Sequence, residues 1–396
     1  LQTASVIGRE FTRRLLGRIA GHQEWSEACL QALKASELLY EKSLHPEVIY
    51  VFKHSLTHEV AYHSLPRRRR RELHGRIARV VEALYTDRLA EHYGVLAYHY
   101  MQGEEWAKAL QYLCLAAEKA ADAFATREAV ALYDQALEAA HKLGEAADIH
   151  TLMRVYRAKA NLHLLLSDFE RALAAGERLL TLARQTGDRA SEGAALESMA
   201  LASRYAHDLD HALAYARQAI AVAGQVGATS VISGSYLVTG SVHYLTGRLQ
   251  QARADMDSAL TISRSMGDVT RQSLALYAAG LLRNWEGNYS EAARFQSECL
   301  SLARTNNLLP AWVRCCFGYG ITLTGKGEYD AALAIYEEGL ALTEKVRDEL
   351  YHCRLLNSLG WLYGELGNLD RALELNRRSA EGARAHGNHE TLANAE

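Results

Sequence analysis

Proline is almost missing from this chain: its 396 residues include only Pro46, Pro66 and Pro310. So few helix breakers over long amphipathic stretches predict a nearly all-helical protein. A dominant charge is missing too. Forty-four Lys and Arg stand against 47 Asp and Glu, a net charge of −3, so no global field draws the chain to nucleic acid or to a membrane surface. No run of 18 apolar residues occurs, which excludes a membrane-spanning helix. The six cysteines, Cys29, Cys114, Cys299, Cys315, Cys316 and Cys353, form no CxxC pair. They sit on apolar helix faces and read as small core thiols of a reducing cytoplasm. No Ser/His/Asp set or paired carboxylates stand in a motif context, so no catalytic residue, cofactor or metal is expected in this chain. Leu1 opens no signal peptide and is not an initiator Met, and 389–396 starts a helix that stops. The expectation is a piece of a longer cytoplasmic protein.

What is present is a 40-residue period. Ala172, Ala212, Ala252, Ala292, Ala332 and Ala372 mark it, as do Ala160, Ala200, Gly240, Gly280, Gly320 and Gly360. A third register reads Ser167, His207, Gly247, Gly287, Gly327 and Gly367. A fourth reads Gly187, Gly227, Gly267, Asn307, Arg347 and Gly387. Several registers sharing one period without an insertion predict an array of identical units. Around Gly240, an apolar helix over 236–245 ends at Thr246-Gly247, and a second runs from Arg248 to about Ser265 before Met266-Gly267. The unit is therefore two helices, with glycine at turns where a left-handed backbone is cheap. Small residues at 240 and 252 let the two helices approach closely.

The turn reads Gly287-Asn288-Tyr289-Ser290-Glu291-Ala292, Gly327-Glu328-Tyr329-Asp330-Ala331-Ala332 and Gly367-Asn368-Leu369-Asp370-Arg371-Ala372. A small pair follows seven residues later, as in Ala219-Ile220 and Ala259-Leu260. This pattern resembles the tetratricopeptide repeat family, in its longer, kinesin-light-chain-like form. A HEAT-type array shares the period and is the alternative, against which the Gly-x-[Tyr/Leu]-x-x-Ala turn argues. The expected fold is an all-α superhelix of about eight helix pairs, six of them with the 40-residue period. Residues 146–396 carry the regular repeats, and 87–145 two irregular ones, around Gly103–Leu110 and Thr126–Leu137.

Residues 1–86 lack the period. Helices are expected over Phe11–Ala20 and Trp25–Ser36, then strands at Leu38–Glu41 and Val48–Phe52 around the turn Ser43-Leu44-His45-Pro46. Two helices and a hairpin suggest a winged-helix domain, and these are the only strand-like segments. Ala4–Phe11, Phe52–Leu65 and Arg67–Arg71 with Leu73-His74 and Arg76-Ile77-Ala78 resemble the segment that follows the ATPase domain in bacterial STAND or AAA-type signalling proteins. Those proteins are often fused to an N-terminal adenylate/guanylate cyclase domain or to a LuxR-type DNA-binding domain as effector. The resemblance implies an upstream ATPase domain in cis, the only place where ATP and Mg are expected. It also implies a regulatory role for this chain. The alternatives are the C-terminal part of a transcription regulator and a free-standing adaptor.

Three sharper motifs are weaker than they look. Gly320–Gly327 nearly spells a phosphate-binding loop, but Gly327 replaces the required Ser/Thr, no strand precedes it, and both glycines belong to the lattice. His54, His58 and His63 do not match HExxH, since His58 and His63 are five apart and diverge on a helix. Arg67, Arg68, Arg69, Arg70, Arg71 and Arg76 form a basic cluster that reads as a solvated helix face or as a contact to an acidic neighbouring domain; nucleic acid is not the expected partner.

In such an array the first helix of each pair lines the inner groove. Positions −3, +1, +4 and +5 from the small mark then face inward. They give Arg157, Asn161, Arg204, Tyr205, Leu237, Tyr244, Leu245, Tyr277, Asn284, Trp285, Phe317, Asn357 and Trp361. Position −6 adds Arg154, Arg314 and Arg354. Arginine with aromatics suits a protein or peptide partner, with a small inducer as a further candidate. Leu237 and Leu245 fit inter-repeat packing equally well.

Overall fold

The structure, a computed structural model, describes residues 1–24, 27–43, 47–385 and 389–395. They form two compact units, 1–123 with 128–148, and 124–127 with 149–396. In the first unit α1 (Gln2–Ile7), β1 (Glu10–Thr12), α2 (Arg13–Glu24), α3 (Glu27–Ala35), β2 (Leu39–Ser43) and β3 (Ile49–Phe52) come first. They are followed by α4 (Ser55–His63), α5 (Arg67–Leu84), a 3-10 segment at Thr86–His92, α6 (Tyr93–Gln102), α7 (Trp106–Asp122) and α8 (Thr126–Leu143). The sheet is antiparallel, ordered β1-β3-β2, and Phe11 pairs with Tyr50 in register. Its inner face packs Phe11, Leu39, Tyr50 and Phe52 against Ala4, Leu16, Leu30 and Ala61.

One expectation needs correcting here. The stretch from Phe11 is not helical at its start: Glu10–Thr12 is a third strand, and the helix begins at Arg13. A three-residue edge strand holds one inward residue, Phe11, too few for a visible alternation. The hairpin turn at 44–46 lies outside the described residues. Farther on, α5 carries five arginines in its first turns, where the helix dipole disfavours cations. The energetic cost is offset by acids: Glu72 takes Arg68 at 3.1 Å and Arg69 at 3.4 Å, and Glu104 takes Arg71 at 2.7 Å. Arg67 and Arg76 are exposed.

The second unit is the array. Its pairs are α9 (Ile149–Leu165) with α10 (Phe169–Thr186), α11 (Arg189–Tyr205) with α12 (Leu209–Val226), and α13 (Thr229–Leu245) with α14 (Leu249–Met266). Then come α15 (Val269–Trp285) with α16 (Tyr289–Thr305), α17 (Leu309–Gly325) with α18 (Tyr329–Val346), and α19 (Glu349–Glu365) with α20 (Leu369–Ala385). The last helix, α21 (His389–Ala395), opens a further pair. Side chains of Asp168, Asp188, Asp208, Asp268, Asn288 and Asp348 each accept a bond from the N–H three residues on, starting helices where the lattice demands. Ala172, Ala212, Ala252, Ala292 and Ala332 have no exposed surface.

The two turn registers explain their own exceptions. Gly247 and Gly267 sit at φ 74° and 66°, and Ser167, His207, Asn307 and Arg347 hold the same left-handed conformation at 57°, 60°, 52° and 54°. Gly387 lies outside the described residues. Side chains other than Asn and Asp are penalised there by about 1–2 kcal/mol, part of which glycine returns through its freer unfolded state. Ser167→Gly and His207→Gly are each expected to raise stability by about 0.5–1 kcal/mol, while Asn307→Gly is nearly neutral. Urea unfolding of the three variants checks this.

The cysteines also depart from expectation. Cys299 and Cys315 form a disulfide with Cα atoms 6.0 Å apart, joining α16 to α17. Each lies eight residues from Asn307, and two helices folding back on one another bring such positions together. Cys114, Cys316 and Cys353 are buried thiols, and Cys29 is exposed rather than packed on an apolar face. Burial pushes the Cys316 thiol up to about 12. No described helix is long and apolar enough to cross a membrane.

Candidate functional site: the inner face of the array

Side chains from first helices two repeats apart touch, so the first helices share the inner face of the array. The Tyr277 hydroxyl on α15 lies 3.4 Å from that of Tyr351 on α19. Arg271 on α15 pairs with Glu197 on α11 at 2.6 Å. The contacts obey one rule. Tyr277, Arg314 and Tyr351 are 37 residues apart, as are Glu197, Gly234 and Arg271; they stand at −3, −6 and −9 from their small marks. Arg204 Nε donates to Ser241 Oγ at 2.9 Å, and Asn357 Nδ2 to the Asn394 carbonyl at 3.0 Å, both across the same 37. Each repeat is thus slipped by three residues against the last, about 4.5 Å along the helix.

The slip gathers residues from four repeats. Arg314 lies 5.5 Å and Arg354 5.3 Å from the centre of the buried Tyr351 ring, within cation–π range. The Phe317 ring stands edge-on to Tyr351 at 5.7 Å. Tyr205 on α11 is close enough to act electrostatically on Tyr277, Arg314 and Tyr351. Burial, then the neighbouring Tyr351, pushes the Tyr277 hydroxyl well above the usual phenol range. Burial raises Tyr351 as well. Both stay protonated at neutral pH. Asp348 is the nearby acid, and its Oδ1 already accepts from the Tyr351 N–H at 3.0 Å.

The other expected groove residues scatter along the same surface. Arg204 covers the Tyr205 ring at 4.6 Å. Tyr244 and Trp285 meet at 5.7 Å near the C-terminal ends of their helices, where Trp285 is 69% and Trp361 55% exposed. Arg154, Arg157 and Asn161 are exposed on α9, and Arg157 reaches Asp188 and Glu197 electrostatically. Asn357 also donates to Asn376 Oδ1 at 3.3 Å, a contact within its own helix pair. Asn284 keeps a buried Oδ1 without a partner. Leu237 packs between repeats, and Leu245 is exposed. Sequence reasoning missed Tyr351, Arg271 and Glu197. The first two lie at −9, one turn beyond the positions considered, and Glu197 occupies a −3 slot.

The remaining motifs have structural roles. Gly320 to Gly325 is helix, and Lys326 binds Glu328 at 2.5 Å. His58 Nε2 bonds to the Ser5 carbonyl at 2.8 Å, and His63 faces Arg70.

Residues 311–385 match the tetratricopeptide repeat model. Among curated proteins none matches. The fold is similar to the Rap conjugation gene regulator of the plasmid pLS20, solved in complex with the Phr* peptide (13% identity, TM-score 0.61, 72% of this chain and 76% of that one). It is similar to the apo form of RapI (13%, 0.53, 69% and 97%). It is also similar to a signal transduction ATPase with numerous domains and a tetratricopeptide repeat sensor from Pyrococcus horikoshii (13%, 0.52). All of this chain aligns there, over 59% of that protein's length. The chain is a tetratricopeptide-like α-solenoid. The HEAT alternative is set aside by this match.

Proposed function

We propose that this chain is the sensor and interaction region of a larger signalling ATPase, and that its inner groove takes a protein or peptide. The observation that carries the reading is the convergence of Tyr205, Tyr277, Tyr351, Arg314 and Arg354, drawn from four repeats onto one stretch of groove. Packing explains apolar side chains there; it does not explain two arginines on one tyrosine ring. Arginine and tyrosine are the residues that dominate binding energy at protein interfaces.

The order helix, strand, helix, helix, strand, strand of 1–52, with sheet order β1-β3-β2, supports a winged-helix connector over 1–86. The similarity to the Pyrococcus ATPase with its repeat sensor supports an upstream ATPase domain in cis, holding ATP and Mg. A nucleotide cyclase or LuxR-type domain as effector is proposed from the sequence resemblance of 1–86 alone. A cytoplasmic location goes with that reading. Acids pair with Arg68, Arg69 and Arg71, half of the basic cluster, which weakens its pull on nucleic acid.

This chain alone is expected to hydrolyse no ATP and form no cyclic nucleotide, and turnover surviving rigorous purification would refute that. Deleting 149–396 from the parent protein is expected to abolish its regulation; an unchanged response would remove the sensor reading. The coding sequence upstream of Leu1 distinguishes a GxxxxGK[ST] loop after a strand, which the reading requires, from a free-standing adaptor.

A further inference from the structure

We infer that His74 and His99 form an acid-sensitive joint in the first unit: while both rings are uncharged they fasten α5 to α6, and charging them parts the two helices. The bonds around the pair fix each other's direction. The Ile7 backbone at the end of α1 accepts from the His99 ring. That bond uses Nε2–H, since His99 Nδ1 faces His74 Nδ1 at 2.8 Å. A neutral His99 therefore presents a bare Nδ1, and His74 Nδ1–H donates to it. His74 Nε2 is then bare as well and accepts from the Tyr62 hydroxyl at 3.0 Å. Four elements, α1, α4, α5 and α6, are tied through two rings that are 1% and 2% exposed. Every ring nitrogen has its partner, and it does so because both rings are neutral.

An added proton has no good place here. One is held only if the Tyr62 hydroxyl turns to accept, and it puts a charge in a buried site whose charged neighbour, Arg70, has the same sign. A second sets two N–H groups face to face across 2.8 Å. Tyr62 and Tyr98 stand edge-on to His74 at 5.9 and 5.6 Å. His58 is stacked on Tyr62, and His63 faces Arg70 beside it. The nearby acids Glu104 and Glu105 are taken by Arg71 and Arg79. Burial, with Arg70 adding to it, lowers His74 to about 4, and burial, with His74 adding to it, lowers His99 to about 3. The rings cannot simply draw back. Gly75 and Gly103 bring α5 and the end of α6 together beside them, and a methyl on Gly103 would lie 3.1 Å from the Gly75 nitrogen. With the backbones already in contact, the cost of charging the pair is relieved by separating the helices.

A histidine whose folded value lies below its unfolded 6.5 supports the fold fully above that pH and loses the contribution as pH falls toward the folded value. The joint is therefore firm at neutral pH and weak near about pH 5. Hydrogen exchange on the full chain at several pH values, corrected for the intrinsic rate, tests this. Amide protection over α5 and α6 is expected to fall at least about 10-fold between pH 7 and pH 5, and by more than that over α9 to α20. In the His74→Gln/His99→Gln variant, whose side chains hydrogen-bond without titrating, the fall should shrink to under about 2-fold. Protection that holds in acid, or that falls alike in both units, overturns the joint. So does a variant that keeps the wild-type response, because other groups then carry it. The wild-type profile decides alone where the variant does not fold.

Discussion

Arg271→Ala is expected to destabilise the array by about 3 kcal/mol at neutral pH, an effect far larger than loss of a surface ion pair. Its partner Glu197 is only 14% exposed and Arg271 25%, and the pair bridges α11 and α15 across α13. The bridge passes Gly234, where any side chain would strike the Glu197 carboxylate and the Arg271 guanidinium. Removing the arginine leaves a carboxylate in a site whose burial already raises its pKa above the ordinary 4.5, Arg271 being the main influence that lowers it. The pH dependence follows. A carboxylate with a raised folded-state pKa binds more protons folded than unfolded, so its stability contribution falls as pH rises from the unfolded value through the folded one. In Arg271→Ala the folded pKa climbs further, so the loss should be small near pH 4.5 and grow toward pH 7. Adding Glu197→Gln should recover much of the loss at pH 7. Denaturant unfolding at several pH values measures this; a loss independent of pH, or a double variant no more stable than Arg271→Ala, would show that the pair is not the cause.

The same pair shows where sequence ceases to be legible. A period states that repeats are equivalent, so the 40-residue spacing revealed the helix pairs and the turn glycines. It does not state how one pair is set against the next. The three-residue slip that joins Tyr277 to Tyr351 and Glu197 to Arg271 arises from inter-repeat packing, and no register carries it. Positions along one strip of the first helices were therefore legible, Tyr205, Tyr277, Arg314 and Arg354 among them, while their convergence was not. Tyr351 escaped because a strip centred on the small mark stops a turn short of it. The edge strand at Phe11 and the Cys299–Cys315 bond escaped for a related reason: each depends on one contact made by the fold rather than on a pattern along the chain.

One further regularity was present in the sequence and becomes intelligible only with the packing. Sixteen residues after each small mark, at the facing position on the second helix, stand Gly176, Ala216, Met256, Gln296, Tyr336 and Asn376. Where the facing residue is small, the mark is alanine, Ala160 or Ala200; where it is large, the mark is glycine. A methyl on Gly240 would come within 3.1 Å of Met256, and one on Gly280, Gly320 or Gly360 would meet Gln296, Tyr336 or Asn376 more closely still. The volume shared across each pair is therefore divided differently from repeat to repeat. Gly320 is the severest case, because the Tyr336 ring is rigid and buried. Gly320→Ala is expected to cost about 1–3 kcal/mol by overpacking and Tyr336→Ala about 3–5 kcal/mol by cavity formation. The double variant recreates the Ala200–Ala216 arrangement. It should be more stable than Tyr336→Ala alone, with a coupling of at least about 1 kcal/mol in a double-mutant cycle. Additive losses would mean that the glycine is required for its backbone and not for the ring it faces.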